Sequence, residues 1–284
     1  MIRSTVTTTD ILVEGLHFPE CPRWHDGRLW FSDMHGHCVM TADLAGRTTV
    51  VADLPTQPAG LGWTPAGQLL TVSMVDRQLL RRDGARWELV ADLSHLASFH
   101  CNDMLVDTRG RAYIGTFGFD LHASAAFAPG EIILVEPDGA ARVVAPGLRF
   151  PNGMVMPPDG RTLIVAESFG PALRVFDVAD DGSLSNGRTW ADLSVVPDGI
   201  CLDAEGAVWI ANPLAPEVVR VEARGGITHR VAVSNPAFAC MLGGGDRRTL
   251  FMLTAENSDP EYCRAHATGK IETVMIDVPG AGLP

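Results

Sequence analysis

The chain has 284 residues, with 22 Lys and Arg against 34 Asp and Glu for a formal net charge of −12, and it is 46% hydrophobic and 20% charged. That balance belongs to a globular chain with ample core and excludes a disordered one. Without a run of Lys or Arg, it gives a nucleic acid or an anionic membrane surface no electrostatic support and favours cations and neutral ligands.

The N-terminal MIRSTVTTTDILVEG lacks the apolar core of a signal peptide, and no stretch approaches the ~18 apolar residues of a membrane span, so a cytoplasmic protein is expected. Within it, residues 6–13 (VTTTDILV) are rich in Thr and β-branched side chains and predict a strand.

From residue 19 one pattern is written six times: a polar or small anchor, a short apolar strand, a turn, and a second apolar strand. The copies are PECPRWHDGRLWFSD (19–33), PAGLGWTPAGQLLTVS (58–73), CNDMLVDTRGRAYIGT (101–116), FPNGMVMPPDGRTLIVAES (150–168), PDGICLDAEGAVWIAN (197–212) and FACMLGGGDRRTLFMLT (238–254). Their anchors, Glu20, Ala59, Asn102, Asn152, Asp198 and Ala239, are 39, 43, 50, 46 and 41 residues apart. Eight positions beyond five of them stand Gly67, Gly110, Gly160, Gly206 and Arg247; in the shorter first copy the turn residue is Gly27. A period in the forties built from short strands and Gly-containing turns is that of a four-stranded propeller blade. Each copy is followed by a second apolar hairpin, such as LLRRDGARWELVADL or VVRVEARGGITHRVAV. The expectation is therefore an all-β fold, a six-bladed β-propeller of four-stranded antiparallel blades around a central channel. It is read as a single domain over 1–284. Either the N-terminal strand or the C-terminal strands ITHRVAV (227–233) and IETVMIDV (271–278) would close the ring.

One stretch breaks the pattern. The third copy inserts FGFDLHASAAFAPG (117–130), a length typical of lids and binding loops. A variable surface loop would look the same, but Phe117, Phe119 and Phe127 argue for a covered pocket. The six cysteines lack CxxC or zinc-ribbon spacing and read as reduced core thiols, with a pocket thiol left open for Cys21, Cys101 and Cys240, which adjoin anchors. His35 and His37 bracket a turn glycine and read as solvated; the six Trp read as strand packing.

The anchors begin the innermost strands and so converge on one mouth of the channel. Four carry oxygen: Glu20, Asn102, Asn152 and Asp198. Two carboxylates and two amides in a ring are a hard-cation donor set whose charge balances a divalent ion. Asn and Asp before Gly also occur as plain turn residues, which would account for Asn152 and Asp198. It does not account for Glu20, nor for four oxygen donors at one register.

The elements PECPRW, NDM with D-x-x-G-R, FPNGM with PDG, and PDGICLD with A-V-W resemble the regucalcin/gluconolactonase family of metal-dependent propeller lactonases, over about residues 14 to 260. The resemblance implies hydrolysis of a lactone, with Glu20, Asn152 and Asp198 as metal ligands, Asp198 also as catalytic base, and Asn102 holding substrate. It implies one divalent cation, calcium first, with zinc, manganese and magnesium as alternatives. Members acting on sugar-acid lactones carry an Arg two residues before the Asn and an acidic residue in the following loop. Here these positions are His100 and, within FGFDL, Asp120. With Phe119 and the other Phe residues nearby, a less polar lactone or ester fits better. His100 could orient substrate, shuttle a proton or be satisfied in the rim. The partner is a small-molecule substrate, with neither nucleic acid nor membrane, and no oligomeric state is implied. A propeller enzyme of another reaction (ester or organophosphate hydrolysis, or a lyase or isomerase step), or a non-catalytic metal- or ligand-binding propeller, stays open beside the lactonase reading.

Overall fold

The computed structural model describes residues 4–6 and 8–283. Six sheets stand around a central channel as a β-propeller. Blade one is built from Pro19–His25, Arg28–Asp33, Cys38–Ala42 and Thr48–Asp53, and blade two from Pro58–Trp63, Leu69–Ser73, Gln78–Asp83 and Arg86–Asp92. Blade three is Cys101–Val106, Ala112–Thr116, Gly130–Val135 and Ala141–Leu148; blade four is Pro151–Val155, Thr162–Glu167, Ala172–Val178 and Leu184–Asp192. Blade five is Ile200–Leu202, Val208–Asn212, Glu217–Val221 and Ile227–Ala232. Blade six takes Ala237–Gly243, Thr249–Thr254 and Gly269–Met275 from the C-terminal end and Asp10–Leu16 from the N-terminal end.

The first strand of each repeat is innermost and buried along most of its length, as in Cys101–Val106, whereas outer strands such as Arg86–Asp92 alternate toward solvent. This gradient is what makes a strand inner or outer: the inner ones read as near-continuous apolar runs because both faces meet a neighbouring blade.

Ring closure belongs to Asp10–Leu16, which pairs antiparallel with Gly269–Met275 and completes blade six. The 227–233 segment does not close the ring; Ile227–Ala232 is the outer strand of blade five, and Ser4–Val6 pairs parallel to it. A further tie comes from the C-terminal tail. Gly280 bridges Asp203 and Leu283 bridges Met156, so the tail runs under blades five and four at the end of the channel away from the anchors.

The turn positions behave as one set. Gly27, Gly67, Gly110, Gly160 and Gly206 have φ from +66° to +81°, and Arg247, in the copy without glycine, takes the same left-handed conformation at +57°. Between the second and third strands of blade six lies an element the sequence reading lacks, the helix Pro260–His266. Asp259 caps it by accepting from Tyr262 N, and Pro260 begins it, where a missing N–H costs nothing. All six Trp pack against core clusters, Trp209 fully buried and the others half-buried. Among the described residues no helix is long and apolar enough to cross a membrane.

Candidate functional site

The anchors fall within the first residues of the inner strands, except Asp198, which lies just ahead of Ile200–Leu202. Sheet pairing lapses at the anchor in five blades, between Glu20 and Arg23, Pro58 and Leu61, Cys101 and Met104, Pro151 and Met154, and Ala237 and Ala239. Such bulges free a side chain from the ladder and recur beside active sites. The backbone is strained next to two anchors: Cys21 has φ +49° and Phe150 φ +65°. The Cys21 conformation lets its N–H donate to Glu20 Oε2 at 2.8 Å.

The residues after the anchors explain how closely the inner strands approach. A Cβ at Gly153 would stand 2.6 Å from Ile200 N, and one at Gly199 2.7 Å from Ala239 Cα. These two glycines are therefore contacts between blades, and the turn explanation of their Asn-Gly and Asp-Gly pairs does not hold.

Glu20, Asn102, Asn152 and Asp198 are all buried at the mouth. Asn152 Nδ2 donates to Ser168 Oγ at 3.2 Å, and Ser168 Oγ donates to Pro197 O at 2.8 Å, so the amide is held next to the Asp198 turn. Asn102 Nδ2 donates to Pro151 O at 3.3 Å, tying blade three to blade four. Asp198 Oδ1 is buried and meets no hydrogen-bond donor. Burial pushes the Glu20 carboxyl up to about 8; the Cys21 N–H opposes the rise, Asp103 adds to it and Arg23 opposes it. Burial, then Glu20 and Asp103, push Asp198 well above the usual carboxylate range, while Asn152 counters.

Sequence reasoning passed over the charged pair behind these groups. Arg23 Nη2 donates to Asp103 Oδ1 at 2.6 Å, and the same guanidinium reaches Leu61 O, Pro22 O and Met104 O. The signal was present, since an Arg inside a strand buried on both sides must be paired. Its charge is thereby committed chiefly to Asp103; its pull on Glu20 is the smallest of the influences there and leaves that carboxyl raised. Two buried carboxylates, an adjacent amide and an orphaned carboxylate oxygen fit a hard divalent cation. Among the described residues no group of three or more His, Cys, Asp or Glu could hold a metal, so such an ion would need the Asn152 amide as well as the carboxylates.

Above the anchors the mouth is walled by one apolar cluster containing Phe18, Met34, Met74, Phe117, Phe119, Phe150 and Phe238, with Phe99 packed against it. His100 stacks on Phe99 at 4.0 Å between ring centroids and lies 6.0 Å from Phe117; burial lowers its pKa, with Asp120 acting the other way. Phe119 is buried against Phe150 and Phe169. Asp120 serves its own loop, accepting from Ala123 N at 2.9 Å. His35 is not solvated, as its sequence context suggests. It is buried, stacks on Phe18 at 5.0 Å, lies 3.2 Å from Ser258 O through Nε2, and burial pushes its pKa down to about 4. All six cysteines are free and buried, with Cys201 and Cys240 Sγ 3.8 Å apart.

Open grooves of about 490 and 450 Å³ lie at the opposite end, along blades three to five. Size does not make them the site. In the first, Arg109 donates to Asp180 O and Arg142 to Glu136 Oε1, leaving paired charges only.

Regucalcin of Danio rerio is 25% identical over 269 residues, 89% of this chain and 88% of its own length. A pentonolactonase of Haloferax volcanii is 27% identical over 264 residues, 88% of this chain and 86% of its own. Among solved structures, the calcium-binding protein regucalcin of Agrobacterium tumefaciens superposes with a TM-score of 0.84 at 23% identity, covering 100% of this chain and 99% of that one. A gluconolactonase of Xanthomonas campestris superposes with a TM-score of 0.74 at 22% identity, covering 96% and 89%. The description SMP-30/Gluconolactonase/LRE-like region matches residues 18–256, and the chain belongs to that family.

Proposed function

We infer that this protein hydrolyses lactones with the help of a divalent cation held by Glu20, Asn152 and Asp198. The observation that carries the reading is the buried, unpartnered Asp198 Oδ1 beside a second buried carboxylate, with the Arg23 guanidinium committed to Asp103. Relatives named pentonolactonase and 6-deoxy-6-sulfogluconolactonase support the reaction class.

A cation bound there would polarise the lactone carbonyl and make water a better nucleophile. Asp198 is the base that accepts the proton of the attacking water and returns it to the ring oxygen as the acyl–oxygen bond breaks, giving the hydroxy acid. Glu20 supplies the second negative charge. Asn102, fixed against blade four, offers its amide oxygen side to substrate, and His100, just ahead of the inner strand of blade three, and Asp120, in the third-repeat loop, orient the ring. Phe119 and its neighbours exclude bulk water, which strengthens the electrostatics within. Apolar walls in place of polyol-binding groups favour a lactone less polar than a sugar-acid lactone. An all-oxygen donor set favours calcium, and a structural neighbour is described as a calcium-binding protein.

The test is hydrolysis of aldonolactones and of apolar γ- and δ-lactones by chelated protein and by protein refilled with calcium, manganese, magnesium or zinc. Metal-restored turnover with preference for apolar rings is expected. Stoichiometric cation binding without turnover of any lactone would overturn the reaction, and preference for aldonolactones would overturn the assigned polarity.

A further inference from the structure

The insertion of the third repeat makes a path of rings that leaves the mouth. From His100 it runs through Phe117 and Phe150, 4.4 Å apart, to Phe169 at 5.2 Å and Phe119, and ends on Phe127, stacked against Phe169 at 6.1 Å. Phe117, Phe119 and Phe150 are buried, whereas Phe127 and Phe169 are 44% and 39% exposed. Apolar rings left open to water at the end of a buried aromatic path are a surface built to be covered.

A cation closes the path. The Arg149 guanidinium lies 5.2 Å from the Phe127 ring centroid, and its Nε donates to Phe169 O at 2.8 Å. Its two terminal nitrogens meet no acceptor among the described residues. The side chain is held from below as well, since a Cβ on Gly170 would stand 2.6 Å from Arg149 Cδ. The loop that brings Phe127 here is pinned at its neck: Gly118 has φ +83°, and a Cβ on it would meet Ala128 O at 2.4 Å.

We propose that Phe127, Phe169 and Arg149 form an outer subsite that takes a planar aromatic substituent on the substrate and pairs an anionic group on that substituent with the Arg149 guanidinium. This rests on the lactonase reading and names the substrate class within it. The rings supply flat apolar area, and the two free N–H-bearing nitrogens present the fork that matches a carboxylate.

Three lactones separate the parts: unsubstituted γ-butyrolactone, its γ-phenyl derivative and the γ-(4-carboxyphenyl) derivative. Relative kcat/KM should rise about tenfold at each step. Arg149→Gln should bring the carboxyphenyl-to-phenyl ratio to about one, and Gly170→Ala, which displaces Arg149 from the other side, should do the same. Phe127→Ala should bring the phenyl-to-unsubstituted ratio to about one. Equal kcat/KM for all three in the wild type, or ratios unmoved by these changes, would overturn the subsite while leaving lactone hydrolysis standing. If no lactone is turned over with any cation, the reaction falls, and calorimetric binding of 2-naphthoate decides the subsite. Binding weakened about tenfold by Arg149→Gln would sustain it; binding that is absent, or indifferent to that change, would overturn it.

Discussion

Asp159 and Asp198 stand in the same tripeptide, Pro-Asp-Gly, 39 residues apart, and the fold puts them to opposite uses. Asp159 is an exposed turn residue: its Oδ1 accepts from Arg161 N at 3.1 Å, and Gly160 has φ +66°. Asp138, in a third copy of the tripeptide, does the same toward Ala140 N. Asp198 is buried with an oxygen left unpartnered, and Gly199 packs on Ala239 instead of turning. The deeper charges of the turn end are also satisfied. Asp203 accepts from Arg220 Nε at 2.6 Å and from the Glu205 and Ala207 N–H groups, with both side chains almost fully buried. One end of the channel closes its charge account internally; at the mouth burial raises the pKa of two carboxylates, and one oxygen of Asp198 has no donor.

The largest expected effect follows from that contrast. Asp198→Asn should lower kcat about a thousandfold or more with the metal-loaded protein still folded, because the proposed proton acceptor is lost. Asp159→Asn, the same change in the same tripeptide, should leave kcat/KM within about twofold. Steady-state kinetics with circular dichroism as the control for folding checks both, and equal losses in the two variants would break the distinction.

At the turn end the cost should appear in stability instead. Asp203→Ala removes the fully buried partner of Arg220 Nε and leaves the guanidinium to Glu205 and Thr228, so the cost is at the low end for a broken buried pair, about 3 kcal/mol. Urea unfolding should show that loss, while the fraction that remains folded keeps its kcat. A loss of kcat without a shift of midpoint would mean that the two ends are not separate in function.

Removing the cation should reverse the usual pH trend of a carboxylate. Glu20 is raised from 4.5 to about 8, so between those values the folded metal-free protein binds more protons than the unfolded chain. Stability then falls as pH rises, by about 1.4 kcal/mol per pH unit for each such proton. Added calcium should stabilise more at pH 8 than at pH 5.5, since binding requires the ionised carboxylates. His35 acts in another window: its pKa is depressed from 6.5 to about 4, so its contribution is lost as pH falls through that range. Thermal melts across pH with chelator and with calcium test this, and a calcium-induced shift independent of pH would contradict it.

What could be read from sequence was whatever a single residue decides within its own repeat. The six-fold register, the turn glycines and the convergence of Glu20, Asn102, Asn152 and Asp198 are of that kind, because an anchor and a turn residue recur at a fixed spacing. The inserted loop was visible as a break in the period; its Phe117 and Phe119 join the apolar cluster at the mouth, whereas Phe127, expected to cover the pocket with them, lies exposed outside that cluster. What escaped depends on contacts between repeats. The Arg23–Asp103 pair spans 80 residues, and His35 is buried by Phe18, Gln57 and Ser258, which no local pattern connects. The left-handed Cys21 and Phe150 have no residue-type signature, since neither side chain favours that conformation.

Arg247 supplies the smallest prediction and a measure of how little the turn end asks of its sequence. It alone among the six equivalent turn positions is not glycine, and its φ of +57° costs about 1 kcal/mol relative to glycine. Its Nε is buried without an acceptor, a further penalty, and burial lowers the guanidinium pKa. Against this, the side chain covers Gly280 of the tail, where a Cβ would lie 3.2 Å from Nε, and glycine would loosen the unfolded chain by about 0.4 to 1 kcal/mol. The backbone tie from Gly280 N to Arg247 O, at 2.8 Å, survives the change. The opposing contributions nearly cancel, with relief of strain and desolvation slightly ahead, so Arg247→Gly should stabilise by less than about 1 kcal/mol and leave kcat unchanged. A clear destabilisation would show that the Arg247 side chain, rather than the backbone, anchors the tail beneath blades five and four.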